Sequence, residues 1–178
     1  MSKKNNIAFV GARGVGKSTI ARMVAQELYK TPFCMDELIQ YESNGQSIEH
    51  IVQSEGWNGF RDLEFHVLEK LSKCSNSIID CGGGVLVEAP KTPKDEETFS
   101  DRKFNQLKDC AKVIYLRRPL EDLIHIVELD ENRPSLSDDY KLLLERRLPW
   151  YEKAADHIVD LEQNSAEEMR DIIIQLLK

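Results

Sequence analysis

The sequence predicts a three-layer α/β domain in which a parallel sheet is covered on both faces by helices. Three observations lead there. Short apolar runs alternate with helix-length amphipathic segments; a glycine-rich turn follows the first run and opens a helix; and no internal repeat or Pro/Gly/Ser-rich linker divides the chain. With 178 residues, 41% hydrophobic and 31% charged, the chain suits one globular domain, residues 1–178, with a real core.

The runs IAFV (7–10), SIID (77–80), KVIYL (112–116) and DHIVDL (156–161) are read as strands. Between them, TIARMVAQELY (19–29) is helical, and residues 57–73 carry Phe60, Leu63, Val67, Leu68 and Leu71 at helical spacing. Ser165 with Glu168 forms a capping box ahead of the Met169, Ile172, Ile173 and Leu176 stripe. The polar, Pro-containing segment 88–103 reads as a surface loop leading to a short helix. DENRPSLSDD (130–139) has the length and charge of a mobile lid between two helices.

Charge and cysteine usage narrow the partners. A net charge of −7 repels phosphate backbones and anionic lipid as a whole, so any anion site must be a local basic cluster, and neither nucleic acid nor a membrane is an expected partner. Cys34, Cys74, Cys81 and Cys110 form no CxxC pair and stand at no zinc spacing, so they read as reduced thiols. With no apolar stretch reaching the ~18 residues of a membrane span, a cytoplasmic, monomeric protein is expected.

GARGVGKST (11–19) matches G-x-x-x-x-G-K-[ST] through Gly11, Gly16, Lys17 and Ser18. Its place between a strand and a helix makes backbone N–H groups and the helix N-terminus converge on a triphosphate. Gly14, Val15 and Thr19 complete this nucleotide cradle; Lys17 reaches the β- and γ-phosphates, and the Ser18 hydroxyl binds Mg²⁺. A phosphate loop alone leaves open a small-molecule kinase, a nucleotide-hydrolysing switch or motor, and a non-catalytic nucleotide-binding module. The short chain and the lack of a guanine-reading NKxD pattern favour the kinase.

The order of GARGVGKST, MDELIQ, GQSIEHIVQSEGWNGFRDLE, CGGGV, NRPSL and ERRLPWY resembles the shikimate kinase family over nearly the whole length. The resemblance implies a three-layer P-loop kinase fold: a five-stranded parallel sheet flanked by helices, a mobile lid over about 130–139 and a substrate-binding helical segment over about 36–73. It implies transfer of the γ-phosphate of MgATP to shikimate, giving shikimate 3-phosphate. Readings left open are a kinase of another small hydroxy acid, such as gluconate or quinate, and a ligand-binding protein without turnover.

Physically, Arg61 and Arg147 offer planar forks for a substrate carboxylate, with Glu64 one turn beyond Arg61 to orient it. The alternatives are an i,i+3 surface pair for Arg61 and a solvated charged face for Arg147. Three consecutive glycines, Gly82, Gly83 and Gly84, suit a sharp turn or a close approach to backbone. The resemblance puts them against the substrate ring, at the C-terminal edge of the sheet. Asp36 matches the family's general-base carboxylate, its alternative being a helix N-cap, and Arg133 in the lid matches an arginine that closes over the γ-phosphate.

Two departures from the family stand out. Cys34 replaces the first acid of a D-x-D pattern, and the place of an adenine-side arginine falls around His125 and Ile126. An extra acid, Asp80, ends a strand expected beside the phosphate-loop strand, where it is expected to hold Mg²⁺-bound water in place of the missing carboxylate.

Overall fold

The computed structural model describes residues 5–92, 95–128, 140–161 and 164–178. Five parallel strands form its sheet: β1 (Asn6–Val10), β2 (Thr31–Cys34), β3 (Ser77–Asp80), β6 (Ala111–Arg117) and β7 (His157–Asp160), in the spatial order β2-β3-β1-β6-β7. The helices are α1 (Lys17–Glu27), α2 (Met35–Glu42), α3 (Ile48–Leu71), α4 (Asp101–Cys110), α5 (Leu120–Glu128), α6 (Tyr140–Ala154) and α7 (Ala166–Leu176). Successive residues of β1 point to opposite faces, so one short strand feeds two cores. Ala8 and Val10 join Met35, Ile39, Leu68 and Tyr151 on one face, whereas Ile7 and Phe9 join Ile20, Val24, Met169 and Ile173 on the other.

The chain leaves β1 toward β2 on one side and leaves β3 toward β6 on the other, so the connections diverge at the C-terminal ends of β1 and β3. Ligands of open α/β sheets bind at such a switch point. The register pairs Phe9 with Asp80 and Cys34 with Asp80, which brings the ends of β1, β2 and β3 level. At the opposite edge Asn6 is a buried clamp. Its amide donates to the Cys74 and Cys110 carbonyls at 3.0 and 3.2 Å and accepts from Ser77 N–H at 3.0 Å, which joins the starts of three strands.

The helix expected over 57–73 extends back to Ile48, with a break at Gly56. The capping box at Ser165 and Glu168 is present. None of the four cysteines is in a disulfide.

The segment 88–103 is, as the sequence suggests, a largely exposed stretch leading to a helix, α4, with structure added at its ends. A short antiparallel pair, β4 (Val87–Glu88) and β5 (Thr98–Phe99), brings it back onto the domain, and Ser100 caps α4. Lys103 is fully buried, and Glu96 and Glu97 face the sheet's functional edge. Lys103 and Glu97 leave solvent because each found a partner of opposite sign, which composition does not show, whereas Glu96 stays exposed. The lid expected at 130–139, with Arg133, lies outside the described residues.

Candidate active site

A cleft of about 840 Å³ opens at the switch point, lined by the phosphate loop, the β3 turn, α3 and α6. Gly16 sits at the N-cap of α1 with φ 102°, a left-handed conformation that lets the loop turn directly into the helix. Lys17 folds back along the loop, donating to the Gly11 and Ala12 carbonyls at 3.0 and 2.9 Å. Burial lowers its ammonium pKa, while Asp80 and Asp36 act in the opposite direction. Gly14, Lys17 and Ser18 line the cleft. The remaining cradle residues support it from outside the lining: Gly11 lies against the Leu116 carbonyl, Val15 packs in the core, and Thr19 is exposed on the first turn of α1. Ile126 approaches Gly14 closely enough that a Cβ there would stand 2.9 Å from its methyl group, so α5 borders the phosphate loop.

The N-cap of α2 is Cys34, not Asp36, which removes the capping alternative for the acid. Asp36 stands in the first helical turn and lines the cleft. Its carboxyl is raised above the ordinary aspartate range, chiefly by burial and by the neighbouring Glu64 carboxylate, with Lys17 opposing.

The three glycines each touch a different functional group. A Cβ on Gly82 would stand 2.7 Å from Asp36 Oδ1, one on Gly83 would stand 3.2 Å from the Arg13 backbone nitrogen, and one on Gly84 would stand 2.5 Å from Arg61 Nη2. Bare backbone is thus the wall against which the acid, the phosphate loop and the arginine are all packed. Tyr151, buried beneath, donates its hydroxyl to the Gly83 carbonyl and fixes the turn.

Arg61 is not a surface pair. It is 5% exposed, its Nη1 donates to both Glu64 oxygens at 3.2 and 3.3 Å, and its guanidinium carbon lies 5.3 and 5.1 Å from the Trp57 and Phe60 ring centres. Its Nε is buried without a hydrogen-bond partner among the described residues. Glu64 in turn accepts from Lys103 Nζ at 2.7 Å, and Lys103 also donates to the Val87 carbonyl. Arg147 is likewise buried, at 8% exposure, and pairs with Glu97.

Sequence reasoning singled out Lys17, Ser18, Asp36, Arg61, Asp80, Arg147 and the three glycines, and all of them line one cleft. It missed Lys103, whose spacing with Leu107 and Cys110 places it on the buried face of α4. It also missed Glu96 and Glu97, for which no local signal exists.

Residues 13–178 match the family model described as Shikimate kinase. Among curated relatives, the shikimate kinase of Leptospira biflexa is 36% identical over 171 residues, 95% of this chain and 93% of the relative. That of Leptospira borgpetersenii is 37% identical over 179 residues, covering 98% and 99%. Among solved structures, the shikimate kinase of Acinetobacter baumannii in complex with shikimate superposes with a TM-score of 0.82 at 29% identity, covering 97% of this chain and 92% of that one. The Aquifex aeolicus enzyme gives 0.75 at 30% identity, with 97% and 95% covered. A phosphate loop facing two buried arginines across one cleft, with these relatives matched almost end to end, establishes that the chain belongs to the shikimate kinase family.

Proposed function

We propose that this chain transfers the γ-phosphoryl group of ATP to a hydroxyl of shikimate, giving shikimate 3-phosphate and ADP. The observation that carries this reading is a single cleft with a phosphate-binding wall and an acid-binding wall, and a perturbed carboxyl, Asp36, lining the same space. Arg61 and Arg147 take the substrate carboxylate. The backbone of Gly82–Gly84 admits the ring, Asp36 accepts the hydroxyl proton, and Lys17 swings from the loop carbonyls to the transferring phosphate. Phosphoryl transfer asks mainly for positioning and charge stabilisation, and these residues supply both.

The test is ADP release measured with a panel of hydroxy acids. Turnover with shikimate and not with gluconate or quinate is expected. A preference for another acid moves the specificity, and no acid-dependent ADP release with any of them overturns the kinase reading in favour of ligand binding without turnover.

The donor set fits Mg²⁺. Ser18 and Asp80 supply hard oxygens in the same cleft, whereas the Cys34 thiol, its pKa raised by burial and by Asp80 and Asp36 against an opposing hydrogen bond from the Glu37 backbone, stays protonated at neutral pH and is a poor ligand for such an ion. Mg²⁺ neutralises phosphate charge when bound. Ser18 would hold it and Asp80 would hold its water, in place of the acid that Cys34 replaces. Because Cys34 and Asp80 are register partners, the carboxylate moves by only one strand. Asp80→Ser is expected to weaken the Mg²⁺ dependence of activity by about 10-fold or more, and adding Cys34→Asp is expected to restore much of it. An unchanged Mg²⁺ titration in the single variant removes Asp80 from this role.

Asp36 also sets a pH dependence. A base whose pKa is raised is lost earlier on acidification, so kcat/KM is expected to fall at a pH above the ordinary aspartate range. Asp36→Asn is expected to remove that limb along with most of the activity. A residual activity in Asp36→Asn that keeps the same acid limb assigns the limb to another group.

A further inference from the structure

Arg147 is the more accessible half of the acid grip, and its fork is already engaged. Its Nε and Nη2 donate to the two oxygens of Glu97 at 2.7 and 2.5 Å. We propose that Glu97 sets the affinity of this site for its acid: its carboxylate serves as counterion to Arg147 in the acid-free protein, and the substrate carboxylate binds by displacing it. The inference rests on the reading of Arg147 as an acid-binding residue given above.

The two arginines are held differently. Glu64, the partner of Arg61, has 2% side-chain exposure and is also held by Lys103, so it stays. Glu97 has 11% exposure, precedes a two-residue strand held by one short ladder, and has as ion-pair partners only Arg147 and, at 4.0 Å, Arg146 among the described residues. A buried guanidinium without a counterion is costly, so an internal carboxylate is a fitting placeholder until a substrate carboxylate takes over.

Charge in the lining supports exchange over simultaneous occupancy. Acidic side chains there outnumber basic ones, and three of the acids are the consecutive Asp95, Glu96 and Glu97. Those three would repel a carboxylate that arrives together with a triphosphate. With them turned outward the basic residues prevail, and Glu96, whose side chain is already 74% exposed, shows that the outward direction is open. Glu97 therefore opposes every acid equally, and only those with enough further contacts, to the glycine wall and Arg61, to offset its displacement bind at a given concentration.

The test compares steady-state kinetics and shikimate-dependent thermal unfolding of the unsubstituted protein and Glu97→Gln. The KM for shikimate is expected to fall about 3- to 10-fold, part of the range for a charge-assisted pair because Gln still accepts one hydrogen bond, while the KM for ATP stays within about 2-fold. The Glu97→Gln protein is expected to melt earlier without acid and to gain more from saturating shikimate than the unsubstituted protein does. If Glu97→Gln is too unstable to assay, Glu97→Asp, shorter by one methylene, is expected to lower the same KM to a lesser degree. Shikimate turnover with an unchanged or raised KM in the variants overturns the displacement alone. Absence of turnover in the unsubstituted protein overturns the assigned reaction and the displacement with it.

Discussion

Lys17→Ala is expected to lower kcat by at least about 10²- to 10³-fold, the range for removing one preorganised charge at a reacting centre, while far-UV circular dichroism stays unchanged. The basis is where the ammonium stands and what it holds. Lys17 is 7% exposed, yet it lines the cleft and its two hydrogen bonds go to the Gly11 and Ala12 carbonyls of its own loop, where water entering from the cleft can take the place of the ammonium. The loss of stability should therefore stay within about 1–2 kcal/mol. A second readout separates this role from general damage. Lys17 opposes the rise in the Asp36 pKa, so its removal should move the acid limb of the remaining kcat/KM profile to higher pH. Unchanged kcat, or a pH profile that does not move, would place Lys17 away from both the phosphate and Asp36.

Legibility followed the distance over which each feature is encoded. Strands β1, β3, β6 and β7 were readable because each is a compact apolar run, and the phosphate loop because its chemistry is written in nine consecutive residues. Strand β2 was not visible as a pattern. TPFC is four residues long, lies at the sheet edge and is largely open to solvent, so it lacks the continuous apolar run of a central strand. The segment 88–103 was legible as a loop leading to a helix, but its charge pairs were not, because they form across space: Glu97 meets Arg147 fifty residues later, and Lys103 meets Glu64 thirty-nine residues earlier. Ser100 as a cap, followed by Lys103, Leu107 and Cys110 on one helical face, was a signal for a buried lysine. The triple glycine was legible as a close approach but not as three different approaches. That required knowing that Asp36, Arg13 and Arg61 arrive from separate loops and helices.

Breaking the buried Arg61–Glu64–Lys103 cluster is expected to have the largest effect on stability. One carboxylate, 2% exposed, holds two cations: Arg61 through Nη1 and Lys103 through Nζ. Burial lowers the Lys103 ammonium pKa and the Glu64 carboxylate opposes that fall, so the lysine depends on the acid. Removing one partner of a buried pair costs about 3–5 kcal/mol, because the group left behind remains desolvated and unpaired. Glu64→Gln strands both cations and should be the most damaging. Lys103→Met replaces a fully buried stem with a similar one and leaves Glu64 to Arg61 alone, so it should cost less. For a chain of this size each kcal/mol corresponds to about 2–4 °C in melting temperature, which gives a fall of roughly 6–20 °C for Glu64→Gln. The cluster also tunes the acid site. Two cations on one anion leave an excess of positive charge behind the Gly84 wall, and a substrate carboxylate at Arg61 would complete its neutralisation. Lys103→Met should therefore raise the KM for shikimate several-fold with little change in the KM for ATP. Saturating shikimate should recover more of the melting temperature in Glu64→Gln, where the excess charge is larger, than in Lys103→Met. Equal recovery in the two variants, or a Lys103→Met protein as stable as the unsubstituted one and with the same KM, would show that the buried lysine neither holds Glu64 nor contributes to the acid site.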